Sequence, residues 1–210
     1  MRNSVKLVVA SILAVAASAA QAVPVVTLSG AGVTTTAVAG ATTVNFNDYT
    51  CGAYTSCVGD YRIVQGSVSG MHAQPAGTST RYLTVPYDYS TGSVTLSLGT
   101  TANYFGLYWG SLDTYNTISF FGAGGFSASY SGSAIMGLVP NGSWTSEYAN
   151  RYVNFDFGSD TFHTVKLTSN GRAFETDNHA FRVASVPEPG TLALLGLGLM
   201  GAGLARRRKA

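Results

Sequence analysis

The sequence predicts an all-β protein, an antiparallel β-sandwich or jelly roll, and three observations carry that expectation. Between residues 23 and 185, helix signals are almost absent, while short stretches rich in β-branched and aromatic residues recur between Gly, Asn, Asp and Ser. Several stretches alternate apolar and polar residues, as a strand with one buried face must. No helical spacer separates them, which argues against parallel crossovers and for strands joined directly.

Taken in order, the candidate strands are residues 25–29, 43–46, 61–69, 81–85, 93–98, 104–109, 117–121, 126–130, 152–157, 161–169 and 180–184. Residues 23–43 are small and β-branched with repeated Ala-Gly and Thr, and read as an edge strand followed by a mobile segment. In 104–109, Phe105, Leu107 and Trp109 share a face. In 152–157, Val153, Phe155 and Phe157 oppose Tyr152, Asn154 and Asp156, and in 164–169 Val165 and Leu167 oppose Thr164, Lys166 and Thr168. Residues 70–80 and 138–150 read as long loops, and no repeat of fixed period is present.

Both ends read as processing signals outside this domain. At the start, Arg2 and Lys6 precede an apolar run, residues 7–20, and an Ala20-Gln21-Ala22 cleavage pattern, which predicts a signal peptide over 1–22. At the other end, residues 186–210 read VPEPGTLALLGLGLMGAGLARRRKA. Pro187-Glu188-Pro189 leads into an apolar run, 191–205, that spans roughly 22 Å as a helix, short of the ~30 Å hydrocarbon core. Arg206, Arg207, Arg208 and Lys209 follow, and their stems can reach the headgroups on the cytoplasmic side. Four glycines, Gly196, Gly198, Gly201 and Gly203, weaken the transmembrane helix, so the run reads as a temporary anchor.

That order of parts closely resembles the PEP-CTERM sorting signal of Gram-negative bacteria. The resemblance implies that exosortase, a transpeptidase-like membrane enzyme, recognises Pro187, Glu188 and Pro189 and removes the anchor. Those three residues would then be recognition residues without a catalytic role. The domain organisation expected is a signal peptide (1–22), a mature sandwich domain (23–185) and a sorting signal (186–210).

Within 23–185 six Arg and Lys stand against nine Asp and Glu, a net charge of −3, so nothing suggests nucleic acid or anionic lipid as a partner. About 163 residues suffice for one core. Cys51 and Cys57 are the only cysteines, and in an exported chain that close, even pair predicts a local disulfide that pins a turn.

Two constellations invite a chemical reading. Trp109-Gly110-Ser111-Leu112-Asp113-Thr114-Tyr115-Asn116 resembles a W-G-S-x-D-x-Y-N stretch of some PEP-CTERM proteins, for which no chemistry is assigned. Either Trp109 stacks on a sugar ring beside polar residues, as Trp144 could elsewhere, or it is a core residue at a strand connection whose Asp113 and Asn116 bond the loop's own backbone. Asn45-x-Asn47-Asp48 follows an early strand and Glu175-x-Asp177-Asn178 precedes the last one. In galactose-binding-like jelly rolls, first and last strands are neighbours. By that resemblance Asp48, Glu175 and Asp177 could hold a structural Ca²⁺, or else form Asx turns.

Enzyme signatures are missing: there is no HExxH, G-x-S-x-G, P-loop or Cys/His nucleophile pair. The literal G-x-G-x-x-G at 196–201 lies in the apolar tail with no strand before it. His72, His163 and His179 are scattered, and Glu147 with Asp156 is the pair that a glycosidase reading would require. The function expected is therefore non-enzymatic: an exported protein sorted to the cell surface or extracellular matrix, with a structural or adhesive role linked to exopolysaccharide or biofilm. The alternative is a carbohydrate-binding module, and a glycan-active enzyme ranks third. Partners would be signal peptidase and exosortase during processing, the inner membrane before it, and exopolysaccharide after it.

Overall fold

The computed structural model describes residues 24–136 and 142–184, which form an antiparallel β-sandwich. Its strands are β1 Val25–Leu28, β2 Thr42–Val44, β3 Ser56–Gly59, β4 Arg62–Val64, β5 Tyr82–Val85, β6 Gly92–Gly110, β7 Asn116–Phe121, β8 Ser127–Ser131, β9 Arg151–Asp156, β10 Phe162–Ser169 and β11 Phe174–Val183. A 3-10 turn, Ala123–Gly125, and a helix α1, Gly132–Met136, are the remaining regular elements among the described residues.

β6 organises both layers. Its first half lies between β3 and β10, with Ser97 opposite Ser56 and Thr164, in a sheet that continues through β7 to β8. Its second half lies between β9 and β11, with Leu107 opposite Val153 and Phe105 opposite both Phe155 and Phe181. That second sheet continues outward to β1 on one side and, beyond β11, to β2, β5 and β4. Gly99 stands at the changeover with φ +71°, and a Cβ there would collide with Thr55 Cγ2. The bend therefore depends on glycine's freedom in the left-handed region.

Between the layers, apolar residues of the alternating strands interlock. Phe105 and Phe155 of the second sheet meet Phe120 of the first, with ring centroids 5.7 Å and 5.0 Å apart, and Phe162 joins Phe120 at 5.1 Å. Val94, Leu96, Val153, Val165 and Leu167 are fully buried beside them, on the faces the alternation assigns inward. Alternation fails in the second half of β6, where Tyr104 and Tyr108 on the opposite face are also buried. The cause is a second cover. Tyr108 Oη donates to Ala76 O at 2.6 Å, and Tyr104 Oη meets Thr36 Oγ1 at 2.7 Å.

Several expectations change here. Residues 93–98 and 104–109 are one strand, since Gly99 bends the chain without ending the pairing. β3 escapes sequence pattern because Ser-Cys-Val-Gly offers one apolar branched residue, and it is held by pairing to β6. The stretch 61–69 shrinks to β4, because the chain turns at Gly66, whose N–H donates to Gln74 Oε1 at 2.5 Å. The last strand begins at Phe174, so Glu175 and Asp177 lie within it. The segment after β1, expected to be mobile, is tied across the sheet: Asn178 Nδ2 donates to Thr34 O at 3.0 Å. Among the described residues no helix is long and apolar enough to cross a membrane. The expected signal peptide, 1–22, and the sorting segment, with Pro187–Pro189, Arg206–Arg208 and Lys209, lie outside the described residues.

Candidate functional site

Four connections converge on one cleft of about 570 Å³: the loop between β4 and β5, the exit of β6, the segment leading into β9 and the turn into β11. The volume lies within the ~300–1,000 Å³ of small-ligand sites. Trp144, Tyr115, Asp113, His72, Arg172 and Glu175 are among its lining residues.

One buried amide fastens three of the four connections. Asn150 Oδ1 accepts from Ala76 N–H at 3.0 Å and Ser111 N–H at 3.1 Å, while its Nδ2 donates to Ser143 O and Ser146 O at 2.9 Å each. Ser111 adopts φ +49° there. Gly142, at φ +59°, lies against Asp113 so closely that a Cβ would overlap Oδ1. Glycine thus lets the chain pass over the carboxylate and set Trp144 two residues further on, where it is 56 % exposed.

The floor is acidic and unusual. Glu175 is 2 % exposed; its Oε1 accepts from Ala73 N–H at 2.8 Å, while Oε2 is buried without a hydrogen-bond partner, as is Ser111 Oγ. Burial raises the Glu175 carboxyl to about 7, the Ala73 N–H opposes this, and the Asp113 charge adds to it. Asp113 is itself raised by burial, with the Tyr115 hydroxyl opposing. Arg172 keeps its positive charge but directs it away from the cleft acids, toward Asp60. Its Nε donates to Tyr89 O at 3.0 Å and its NH2 group to Asp88 O at 3.1 Å. His72 Nδ1 lies 2.7 Å from Tyr82 Oη, which donates to Gly66 O, and burial lowers the imidazole's pKa so that it stays neutral.

The sequence-predicted residues are distributed unevenly over this geometry. Trp144 lines the cleft, but Trp109 is 0 % exposed and stacks on Phe174 at 4.3 Å, so it is a core residue and cannot meet a glycan. β2 does pair with β11, which places the two acidic stretches near the same strand. Even so, Asp48, Glu175 and Asp177 do not converge on a Ca²⁺ site. Asp48 accepts from Thr50 N–H in its own exposed turn, Asp177 is committed to Asn178 N–H and Thr80, and Glu175 lies on the cleft floor. Among the described residues no group of three His, Cys, Asp or Glu could hold a metal ion. Asn116 does not bond its own loop through its side chain; Nδ2 donates to Ala173 O at 3.2 Å, and Oδ1 accepts from Ser169 at 2.6 Å. Cys51 and Cys57 form the expected disulfide. Asp156 pairs with Arg182 at 3.7 Å, at the end of β9 remote from the cleft, so it forms no pair there with Glu147. Sequence reasoning missed Asn150 and the cleft role of Asp113, His72 and Glu175. Asn150 left no local signal, because its four partners lie in three separate segments.

Residues 185–209 match the family model of the PEP-CTERM protein-sorting motif. The chain carries that sorting motif. The PEP-CTERM motif marks a secreted protein processed by exosortase. No curated protein matches the chain. Among solved structures, it is similar to CpGH89CBM32-6 from Clostridium perfringens, at 12 % identity and TM-score 0.31, over 60 % of this chain and 94 % of that one. A Ruminococcus flavefaciens cellulosome structure described in terms of glycan recognition is 14 % identical with TM-score 0.32, over 71 % of this chain and 98 % of that one. At such scores the likeness carries no argument about ligand or site.

Proposed function

We propose that the PEP-CTERM chain is delivered to the cell surface or extracellular matrix as a non-enzymatic domain that binds exopolysaccharide, in a structural or adhesive role. The signal peptide over 1–22 admits it to export, and the segment 186–210 anchors it until exosortase cuts near Pro187–Pro189. The observation that carries the binding half is an exposed Trp144 on the rim of a ligand-sized cleft, where an indole face suits the apolar face of a pyranose ring. Asp113 serves hydroxyl recognition in that cleft, Glu175 Oε2 stays enclosed by the protein, and no bond is cleaved.

Three measurements test it. The intact mass of protein recovered from the culture medium is expected to end near Val186, and deletion of Pro187–Pro189 is expected to leave the chain in the inner membrane. Release of the deleted chain at its normal rate would refute the sorting half. Retention of the released protein on extracellular polysaccharide, lost in Trp144→Ala at unchanged circular dichroism, tests the binding half.

A further inference from the structure

Resting on that binding reading, we infer that the cleft selects an uncharged sugar residue, a neutral pyranose stacked on Trp144 with its hydroxyls at Asp113, and rejects acidic glycans. The charge inventory points this way. The carboxylic acids lining the cleft are Asp113 and Glu175, and the guanidinium of Arg172 keeps its charge but is directed to the carbonyls of Asp88 and Tyr89, where it acts on Asp60. His72 is buried and held neutral beside Tyr82. Asp113 acts on its neighbours in the cleft: burial raises both the Glu175 carboxyl and the Tyr115 hydroxyl, and the Asp113 charge adds to each. A uronate or sulfated sugar entering here would meet like charge at short range, with the lining cation Arg172 turned toward Asp60 and away from the cleft acids, an arrangement that disfavours binding.

A neutral sugar meets the opposite situation. Its hydroxyls both donate and accept, so they can donate to the Asp113 carboxylate. Charge-assisted bonds of this kind are stronger than neutral ones. At the floor, Glu175 Oε2 and Ser111 Oγ are enclosed by the protein, so the hydroxyl contacts fall to the half-buried Asp113. Gly142 packs against Asp113 two residues before Trp144, and both side chains line the one cleft.

The test uses processed protein secreted by cells making the full chain, run in native gels containing dextran, galactomannan, laminarin or alginate. Retardation is expected in at least one neutral gel and none in alginate. Trp144→Ala and Asp113→Asn are each expected to weaken the neutral interaction by roughly tenfold or more, with unchanged circular dichroism. Retardation by alginate alone overturns neutral selectivity and leaves glycan binding standing. No retardation in any gel overturns glycan binding itself. Undiminished retardation of Trp144→Ala moves the site away from this cleft and overturns the assignment.

Discussion

Two tryptophans of one sequence have opposite fates, and the difference is burial. Trp109 is enclosed against Phe174, so Trp109→Ala should cost about 3–5 kcal/mol, read as a shifted urea midpoint. Trp144→Ala at an exposed position should stay within about 0.5 kcal/mol of the native chain, which leaves its effect on binding interpretable. Asn150 is the residue on which the cleft's shape most depends. Asn150→Ala leaves Ser111 N–H and Ala76 N–H, together with the carbonyls of Ser143 and Ser146, without their amide partner. A loss of about 2–4 kcal/mol is expected, and hydrogen exchange should rise at Ala76 and Ser111 together. Unchanged exchange at one of the two would show that the loops are held independently.

At the scale of elements, β6 is the piece that both sheets share, and its bend is the vulnerable point. Gly99→Ala places a Cβ at φ +71° and against Thr55, so a cost of about 1–3 kcal/mol is expected in chemical denaturation. An unshifted midpoint would show that Thr55 rotates away and the bend relaxes. The disulfide joins Cys51 to Cys57 in β3, the strand that the sequence signals least, across a short loop. In the chain-entropy account so short a loop contributes about 2 kcal/mol, so the Cys51→Ser, Cys57→Ser double variant should lose about that much and remain folded. It fastens β3 to its entry turn, and both cysteines also pack against the edge of the core.

The whole molecule carries opposed proton linkages. Burial raises Glu175 and Asp177 to about 7, above the ordinary carboxylate range. For a raised folded-state value the stabilisation is complete below the unfolded pKa near 4 and is lost as pH rises through about 7. His179, wholly buried between Tyr54 and Thr176, is lowered to about 3 by burial, so its neutral form contributes stability above the unfolded value near 6.5 that is lost as pH falls toward 3. The slopes oppose each other, but two acids outweigh one imidazole, so native stability should fall as pH rises between about 4 and 7. Glu175→Gln with Asp177→Asn removes the acid contribution, so the stability of this variant relative to the native chain should rise between about pH 4 and about pH 7 and stay level above that. Parallel denaturation profiles would show that neither carboxyl is protonated in the folded state.

Sequence alone determined what local pattern can encode. The strands with clean alternation, β7, β9 and β10, were legible because burial of one face forces a period of two. The disulfide followed from close spacing in an exported chain, and the sorting motif from an order of parts that needs no folding to be read. Tertiary structure decided everything that depends on meeting at a distance. It joined two apparent strands into β6, because a bend can preserve pairing on both sides. It buried both faces of the 104–110 stretch, because segments far away in the chain cover the outer sheet. It sent Trp109 to the core and Trp144 to the cleft, and it gathered Asp113, His72, Arg172 and Glu175 from separate loops. A side chain's type is written in its own position, whereas its exposure and neighbours are set by the packing of the whole chain.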